Sequence, residues 1–398
     1  VISPAASLPI ATHPALVRAR ELLLAGDREV LELQARVSEI AAPTGAEAAR
    51  AAFLVERLRE AGLEHVRRDD VGNVVAPTRP GEASAVVLAA HLDTVFGPNV
   101  DVSVRSSGTR LEGPGISDNA RGLAALVGLA RATVGARWRT ERPIVFAATV
   151  GEEGEGDLRG IKRLLGPRGI GAAAVIALDG AGLTRIVHRA LGSRRFRVTF
   201  SGPGGHSWAA YGVPNPAHAA GRFAGGLPEL PRPAAPKSAC SAVRLQGGTG
   251  LNSIPQTTLV DVDLRSEDRR ILETLEAGLR TLAGGAAEEE NRRRTPGTPA
   301  LRVAIDVIGD RPPGATPETD PLVTAAVLAT RAVGAEPELA VASTDANVPI
   351  ALGIPGIALG AGGQAGDTHL PTEWYDNSGG PEGLLRALLV LAAAAGLR

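Results

Sequence analysis

Four short runs, "GNVVAP", "SAVVLAA", "PIVFAATV" and "AAVIAL", are dominated by valine, isoleucine and alanine, and stretches of helical spacing such as "NARGLAALVGLARATVG" and "LRGIKRLLG" lie between them. Strands that are apolar at nearly every position suit a sheet covered on both faces, and the intervening helices supply the covers. The alternation predicts an α/β fold with a sheet flanked by helices. Upstream, "DREVLELQARVSEI" and "AEAARAAFLVERLREAGL" predict two N-terminal helices, the second stopping at Gly62.

The texture changes after about residue 190. "RRFRVTFSG", "SAVRLQGG", "TTLVDVDLRS" and "LRVAIDVIG" read as strands, while "NPAHAAGRFAGGL" and "EDRRILETLEAGLRTLAGG" read as helices. Their order, β-α-β-β-α-β, predicts a ferredoxin-like α+β unit. The Pro- and Gly-rich "DRPPGATPETDP" closes it, and "PLVTAAVLATRAVG", "PGIALG" and "GGPEGLLRALLVLAAAAGL" return to the earlier pattern. A chain of 398 residues suits two domains, here a first domain of residues 1–190 and 312–398 interrupted by an inserted domain at 191–311.

Charge narrows the partners. The 42 Lys+Arg nearly cancel the 43 Asp+Glu, with no basic stripe carrying interleaved aromatics, so nucleic acid is not an expected partner. A single cysteine, Cys240, excludes an internal disulfide and fits a reducing compartment. The opening "VISPAASLPIATHPALVRAR" has no basic stretch ahead of a continuous apolar core, and no run approaches the roughly 20 apolar residues of a membrane span. A cytoplasmic protein without a membrane partner is the expectation.

Polar residues interrupt this apolar chain at particular places. "VVLAAHLDTVFG" ends a strand in His91 and Asp93, which alternation puts on one face, so an aspartate can hold one imidazole nitrogen while the other stays free for a metal. Asp118 in "GPGISDNARG" reads as a helix cap, Glu152 and Glu153 in "FAATVGEEGEG" as a solvated loop, and Asp179 in "VIALDGAG" as a turn residue. His369 in "GAGGQAGDTHLPTEWYD" alone reads as a solvated loop histidine. Those ordinary readings fail jointly, because an α/β sheet gathers the carboxyl ends of its parallel strands on one rim, where such folds bind ligands. Carboxylates and imidazoles without thiolates suit zinc, with cobalt or manganese as competitors, and Asp118 is the natural bridge between two ions.

"HLDTV", "GPGISDNARG", "GEEGEG", "LDGAG", "GPGGHS", "GGTGLNSIP", "DVDLRS" and "DTHLPTEWYD", in this order, resemble the M20 family of dinuclear metallopeptidases and amidohydrolases, which includes carboxypeptidases, di- and tripeptidases, aminoacylases and related deacylases. The resemblance covers nearly the whole chain and implies a zinc-exopeptidase-like domain with a mixed sheet and an inserted lid or dimerisation domain. It implies one metal on His91, Asp118 and Asp179 and another on Asp118, Glu153 and His369, with Asp93 orienting His91 and a cis peptide bond after Asp118. Spacing alone leaves open which of Glu152 and Glu153 is the ligand; the resemblance makes Glu152 the general base. It further implies that His206 stabilises the oxyanion in the partner subunit of a homodimer, and that Asn252 and Arg265 hold the substrate's carbonyl and carboxylate. His206 and Arg265 read equally as a turn histidine and a strand-end surface charge. "VASTDANVP" and "GAGG" resemble further site-lining loops, and Asp367 is a candidate to orient His369, which its position two residues earlier in a loop does not establish.

The expectation is a metal-dependent hydrolase acting on an amide bond in a small peptide or N-acyl amino acid, leaning towards the peptidase T-like and carboxypeptidase branches. Its rivals are a binding or scaffolding protein on the same fold, disfavoured because a buried carboxylate cluster without metal is costly, and an enzyme that forms or exchanges amide bonds.

Overall fold

The computed structural model describes residues 9–81 and 83–398; residues 1–8, the start of the segment read above for a leader, lie outside them. The described chain divides into two compact units, Val1–Ala190 with Ala315–Arg398, and Leu191–Gly314. No helix among the described residues is long and apolar enough to cross a membrane.

The first unit is built on a nine-stranded sheet, whose inner order is Val74–Pro77, Ile144–Thr149, Ala85–His91, Ala172–Leu178, Gly356–Leu359 and Arg185–Ala190. The four strands from Ile144–Thr149 to Gly356–Leu359 run parallel, and the flanking pairings are antiparallel, so the sheet is mixed. Alternation along Ala85–His91 explains why all seven residues are buried. Val86, Leu88 and Ala90 pack with Leu54, Leu123 and Leu388 on one face, while Ala85, Val87 and Ala89 pack with Ile161 and Leu164 on the other. Each fully buried valine or leucine contributes about 1.5–3 kcal/mol. Register then levels the strand ends: His91 lies opposite Thr149, and Ala89 lies opposite both Ala147 and Ala177.

Among the described residues three α-helices, not two, precede the sheet: Pro14–Ala25 joins Asp27–Ser38 and Ala48–Glu60. Its apolar residues face several directions, with Leu16, Ala19 and Leu23 buried but Val17, Leu22 and Leu24 exposed, which blurs the stripe that periodicity detects. The strand Arg185–Ala190 and a small four-stranded sheet of Arg105–Ser107, Arg110–Glu112, Gln364–Gly366 and Trp374–Asp376 are also absent from the sequence pattern. Three-residue strands are too short to carry a period of two.

The second unit has strands Gly192–Ser201, Ser238–Gly247, Thr257–Ser266 and Arg302–Arg311 and helices Pro216–Gly226 and Arg269–Arg292. The antiparallel sheet has the order Ser238–Gly247, Thr257–Ser266, Gly192–Ser201, Arg302–Arg311. Phe196, Val198, Phe200, Val260, Val262 and Leu264 pack one face against Phe223, Leu272 and Leu279 of the helices. This is the β-α-β-β-α-β order. A two-stranded ribbon, Gly205–His206 against Ser253–Ile254, is added to it.

Candidate metal centre

Three parallel strands deliver polar residues to one rim: His91 ends Ala85–His91 and Asp93 follows it, Glu152 and Glu153 follow Ile144–Thr149, and Asp179 follows Ala172–Leu178. Asp118 stands just before helix Ala120–Gly135, which is capped by Asn119, whose side chain accepts the Gly122 N–H at 3.1 Å. Only glycine fits at 122, since a Cβ there would lie 2.2 Å from Asn119 Oδ1 and 2.7 Å from the Leu178 carbonyl oxygen. The Asp118–Asn119 peptide bond is cis. His369 lies in the loop between Gln364–Gly366 and Trp374–Asp376.

These elements converge. His91 Nε2 is 3.0 Å from Asp118 Oδ1 and 3.9 Å from Asp179 Oδ1. His369 Nε2 is 3.1 Å from Asp118 Oδ2 and 3.2 Å from Glu153 Oε1. Asp118 therefore turns one oxygen to each histidine. His91, Asp118 and Glu153 offer ligand atoms that all lie within 4.8 Å of one another.

Asp93 is fully buried, but its geometry differs in detail from the sequence expectation. The acceptor nearest His91 Nδ1 is the Asp93 carbonyl oxygen at 3.0 Å, with the carboxylate 3.7 Å away. The carboxylate accepts instead from the N–H groups of Glu152 and Glu153, both at 2.9 Å, and from the Thr44 hydroxyl at 2.8 Å. Asp93 thus fixes the main chain that carries both glutamates. Alternation places Asp93 beside His91 but says nothing of loop amides competing for its oxygens.

Electrostatics follow from this crowding. Burial pulls the His91 imidazole down, but the hydrogen bond to Asp118 and the Asp93 carboxylate beside the ring, with the charges of Asp118 and Glu152, lift it well above its ordinary value. Hydrogen bonds to Asp118 and Glu153 push His369 up to about 10. Burial and the neighbouring Asp118 charge raise Asp179 to about 7. Burial also works against the Asp93 and Asp118 anions, yet the imidazoles hold both low, Asp93 at about 2 with help from the Glu152 and Glu153 amides. Among the described residues no lysine or arginine forms an ion pair with Asp118, Glu153 or Asp179. Acidic charge balanced only by imidazoles and protons is what a cation would complete, and the oxygen and nitrogen donors fit zinc, manganese or cobalt.

Several supporting residues escape sequence reasoning. Glu373, fully buried, accepts the N–H groups of Ser117 at 2.8 Å, Asp118 at 2.9 Å and Gly115 at 3.1 Å, and so holds the turn that presents Asp118. Burial lifts it to about 7 against those amides. Arg50 donates to the Leu92 carbonyl at 2.8 Å and is lowered to about 10 by burial, which the Asp93 charge partly offsets. Asp345 accepts the Thr149 hydroxyl at 2.6 Å. Glu373 and Asp345 belong to "DTHLPTEWYD" and "VASTDANVP", and Arg50 is a charge on the buried stripe of a helix, the one signal that marks it. Asp367 accepts from the Thr372 hydroxyl at 3.2 Å.

In the second unit, Gly205, at φ +140, leads the ribbon that exposes His206, whose Nδ1 accepts from the Trp208 N–H at 3.2 Å. His206 is opposite Ser253 in register, which puts the exposed Asn252 beside it; the Asn252 carbonyl accepts the Ser207 N–H at 2.9 Å. Arg265 is half exposed and donates from Nε to Asp263 at 2.7 Å.

The sequence model of peptidase family M20/M25/M40 matches residues 87–396. A Pyrococcus furiosus protein named as a candidate LysW-lysine/LysW-ornithine hydrolase is 36% identical over 126 residues, 32% of this chain and 35% of that protein. The chain therefore spans about a third of the length of the curated relatives it matches. Among solved structures, a Staphylococcus aureus tripeptidase matches with a TM-score of 0.74 at 18% identity, over 93% of this chain and 98% of that one. A Bacillus cereus aminopeptidase matches with 0.69 at 22% identity, over 93% and 97%. A Bacillus subtilis peptidase described as dinuclear and metal-binding matches with 0.64 at 16% identity, over 94% and 98%. These structures share the fold.

Proposed function

The chain belongs to peptidase family M20/M25/M40; from that premise we propose that it is a hydrolase cleaving an amide bond in a small peptide or N-acyl amino acid at a pair of divalent cations. The observation that carries this reading is the placing of Asp118, with one oxygen 3.0 Å from His91 and the other 3.1 Å from His369. One cation would be held by His91, Asp118 and Asp179, the other by Asp118, Glu153 and His369, with zinc the best match to the donors and cobalt or manganese next. Bound there, the cations supply Lewis acidity to the substrate carbonyl and lower the pKa of water.

The remaining work falls to side chains of the chain itself. Glu152 is buried, and its main chain is fixed by Asp93. It serves as the general base, taking the proton of the attacking water and returning it to the leaving amine. His206 acts as a donor to the developing oxyanion in the active site of a partner subunit, and Asn252 and Arg265 hold the substrate's carbonyl and carboxylate, Arg265 then leaving Asp263. A homodimer through the inserted unit is supported by the edge strand Ser238–Gly247, with Val243 and Leu245 exposed, and by the exposed Trp208, Tyr211 and Leu251.

The test is release of free amine from a panel of di- and tripeptides, N-acetyl amino acids and lysine or ornithine conjugates, with zinc, cobalt or manganese supplied. The conjugates enter because the curated relatives are named for them. Two bound cations without amine release from any member would contradict the proposal.

A further inference from the structure

Beside Asp118 and Asp179 the first unit opens into a cavity of about 640 Å³, lined also by the turn Gly180 to Leu183, by Gln364 and Thr368, and by Arg185. The sheet explains how an arginine comes to stand there. Ile186 lies opposite Leu359, and the Leu359 carbonyl accepts the Asp179 N–H at 2.9 Å, so Arg185 begins its strand at the rim where Asp179 ends another. Ile186 and Leu359 enter one core cluster, while Val187 packs with Ala177 and Ala358 on the opposite face. Alternation therefore sends Arg185 to the same face as Asp179.

The cavity wall is held from behind. Arg386, fully buried, donates to the carbonyls of Gly182 at 3.3 Å and Arg185 at 3.4 Å, and also to those of Leu183 and Gly360. The Arg185 side chain itself is exposed and has no ion-pair partner among the described residues. Glu338 is its register partner on the neighbouring strand, yet the two form no ion pair among the described residues. If the proposed centre is correct, Asp118 and Asp179 are committed to cations, and the formal charge left on the cavity lining is the Arg185 guanidinium.

We propose that Arg185 receives a side-chain carboxylate of the substrate, distinct from the terminal one given to Arg265, and makes the enzyme select acidic amino-acid derivatives. This specificity rests on the amidohydrolase reading above. The guanidinium fork matches a carboxylate, whereas a substrate ammonium would meet like charge.

Calorimetric binding to the metal-loaded full chain carrying Glu152→Ala, which removes the proposed general base, tests it without turnover. The ligands are N-acetylglutamate, N-acetylglutamine and the α-amide of each, with N-acetyllysine as the cationic probe. With Arg185 present, that chain should bind N-acetylglutamate about tenfold or more tightly than N-acetylglutamine, as a charge-assisted contact gives. The glutamate–glutamine pair reports the side-chain carboxylate that Arg185 would receive, and the acid–α-amide pair reports the terminal one given to Arg265, whose ratio Arg185→Ala should leave unchanged. Arg185→Ala should erase the glutamate–glutamine ratio, and Arg185→Glu should favour N-acetyllysine over N-acetylglutamate. A glutamate–glutamine ratio unchanged by Arg185→Ala, no such preference with Arg185 present, or no binding of any ligand overturns the proposal. Carboxylate preference that depends on Arg185, with no amine release by the wild-type chain, would instead reject the hydrolase reading and leave this subsite standing.

Discussion

Removing the Glu373 carboxylate should loosen the metal centre without touching a ligand. Its Oε1 accepts the Ser117 and Asp118 N–H groups at 2.8 and 2.9 Å, and Oε2 accepts that of Gly115 at 3.1 Å. Glu373→Gln keeps the shape and one acceptor oxygen, so two of the three bonds can persist while the new amide group faces the Gly115 donor. One such buried mismatch costs about 1–3 kcal/mol. Glu373→Ala strands all three donors, for about 3–5 kcal/mol once partial relaxation is allowed. At roughly 2–4 °C per kcal/mol for a unit of this size, the glutamine variant should melt about 2–12 °C lower. The turn presents Asp118, so affinity for divalent metal should also fall, by about tenfold or more in Glu373→Gln. The assays are thermal melting of the metal-free chain and metal content after dialysis at buffered free zinc. A variant that melts lower but holds metal as tightly as wild type would refute the positioning argument and leave Glu373 a plain structural carboxylate.

Glu152→Ala should keep its metal and lose turnover by at least about 100-fold, whereas Glu153→Ala should lose occupancy of one metal position; metal analysis with the reverse pattern would exchange their roles. The metal-free chain should lose stability as pH rises from about 6 to 9. Asp179, raised to about 7, keeps a proton after the unfolded carboxyl near 3.9 has lost its own, so its stabilisation is full below that value and gone above 7. His369, raised to about 10, loses its contribution between the unfolded value near 6.5 and 10, and both slopes have the same sign. A melting temperature flat over that range in the metal-free chain would contradict this, as would an equal fall after metal loading. Mixing inactive Glu152→Ala and His206→Ala chains should restore about a quarter of wild-type activity, because half the random dimers are mixed and half their sites are intact; confirmed mixed dimers without activity would place His206 outside a trans role.

The layered α/β core was legible because its signal is redundant. Val86, Leu88 and Ala90 need one cover and Ala85, Val87 and Ala89 another, and "AAVIAL" repeats the same demand. His91, Asp118, Glu153, Asp179 and His369 were legible as polar interruptions of that apolar pattern, and the structure brings them to one rim. The helix Pro14–Ala25 was not legible, because Leu22 and Leu24 break its stripe. Nor was the partner of each supporting charge: Glu373 meets residues 255 to 258 positions away, a pairing no local pattern encodes. Arg185 stayed hidden because its meaning depends on a cavity, and a cavity has no period.

The central claim is that two divalent cations share Asp118 and that hydrolysis requires them. Zinc added stepwise to the exhaustively chelated chain, with bound metal per chain and released amine read from the same samples, tests it most directly. The account predicts no activity in the stripped chain, saturation at two ions per chain, and amine release that returns with them. Activity that survives metal removal, or metal binding that saturates at a single ion with full activity, would contradict it.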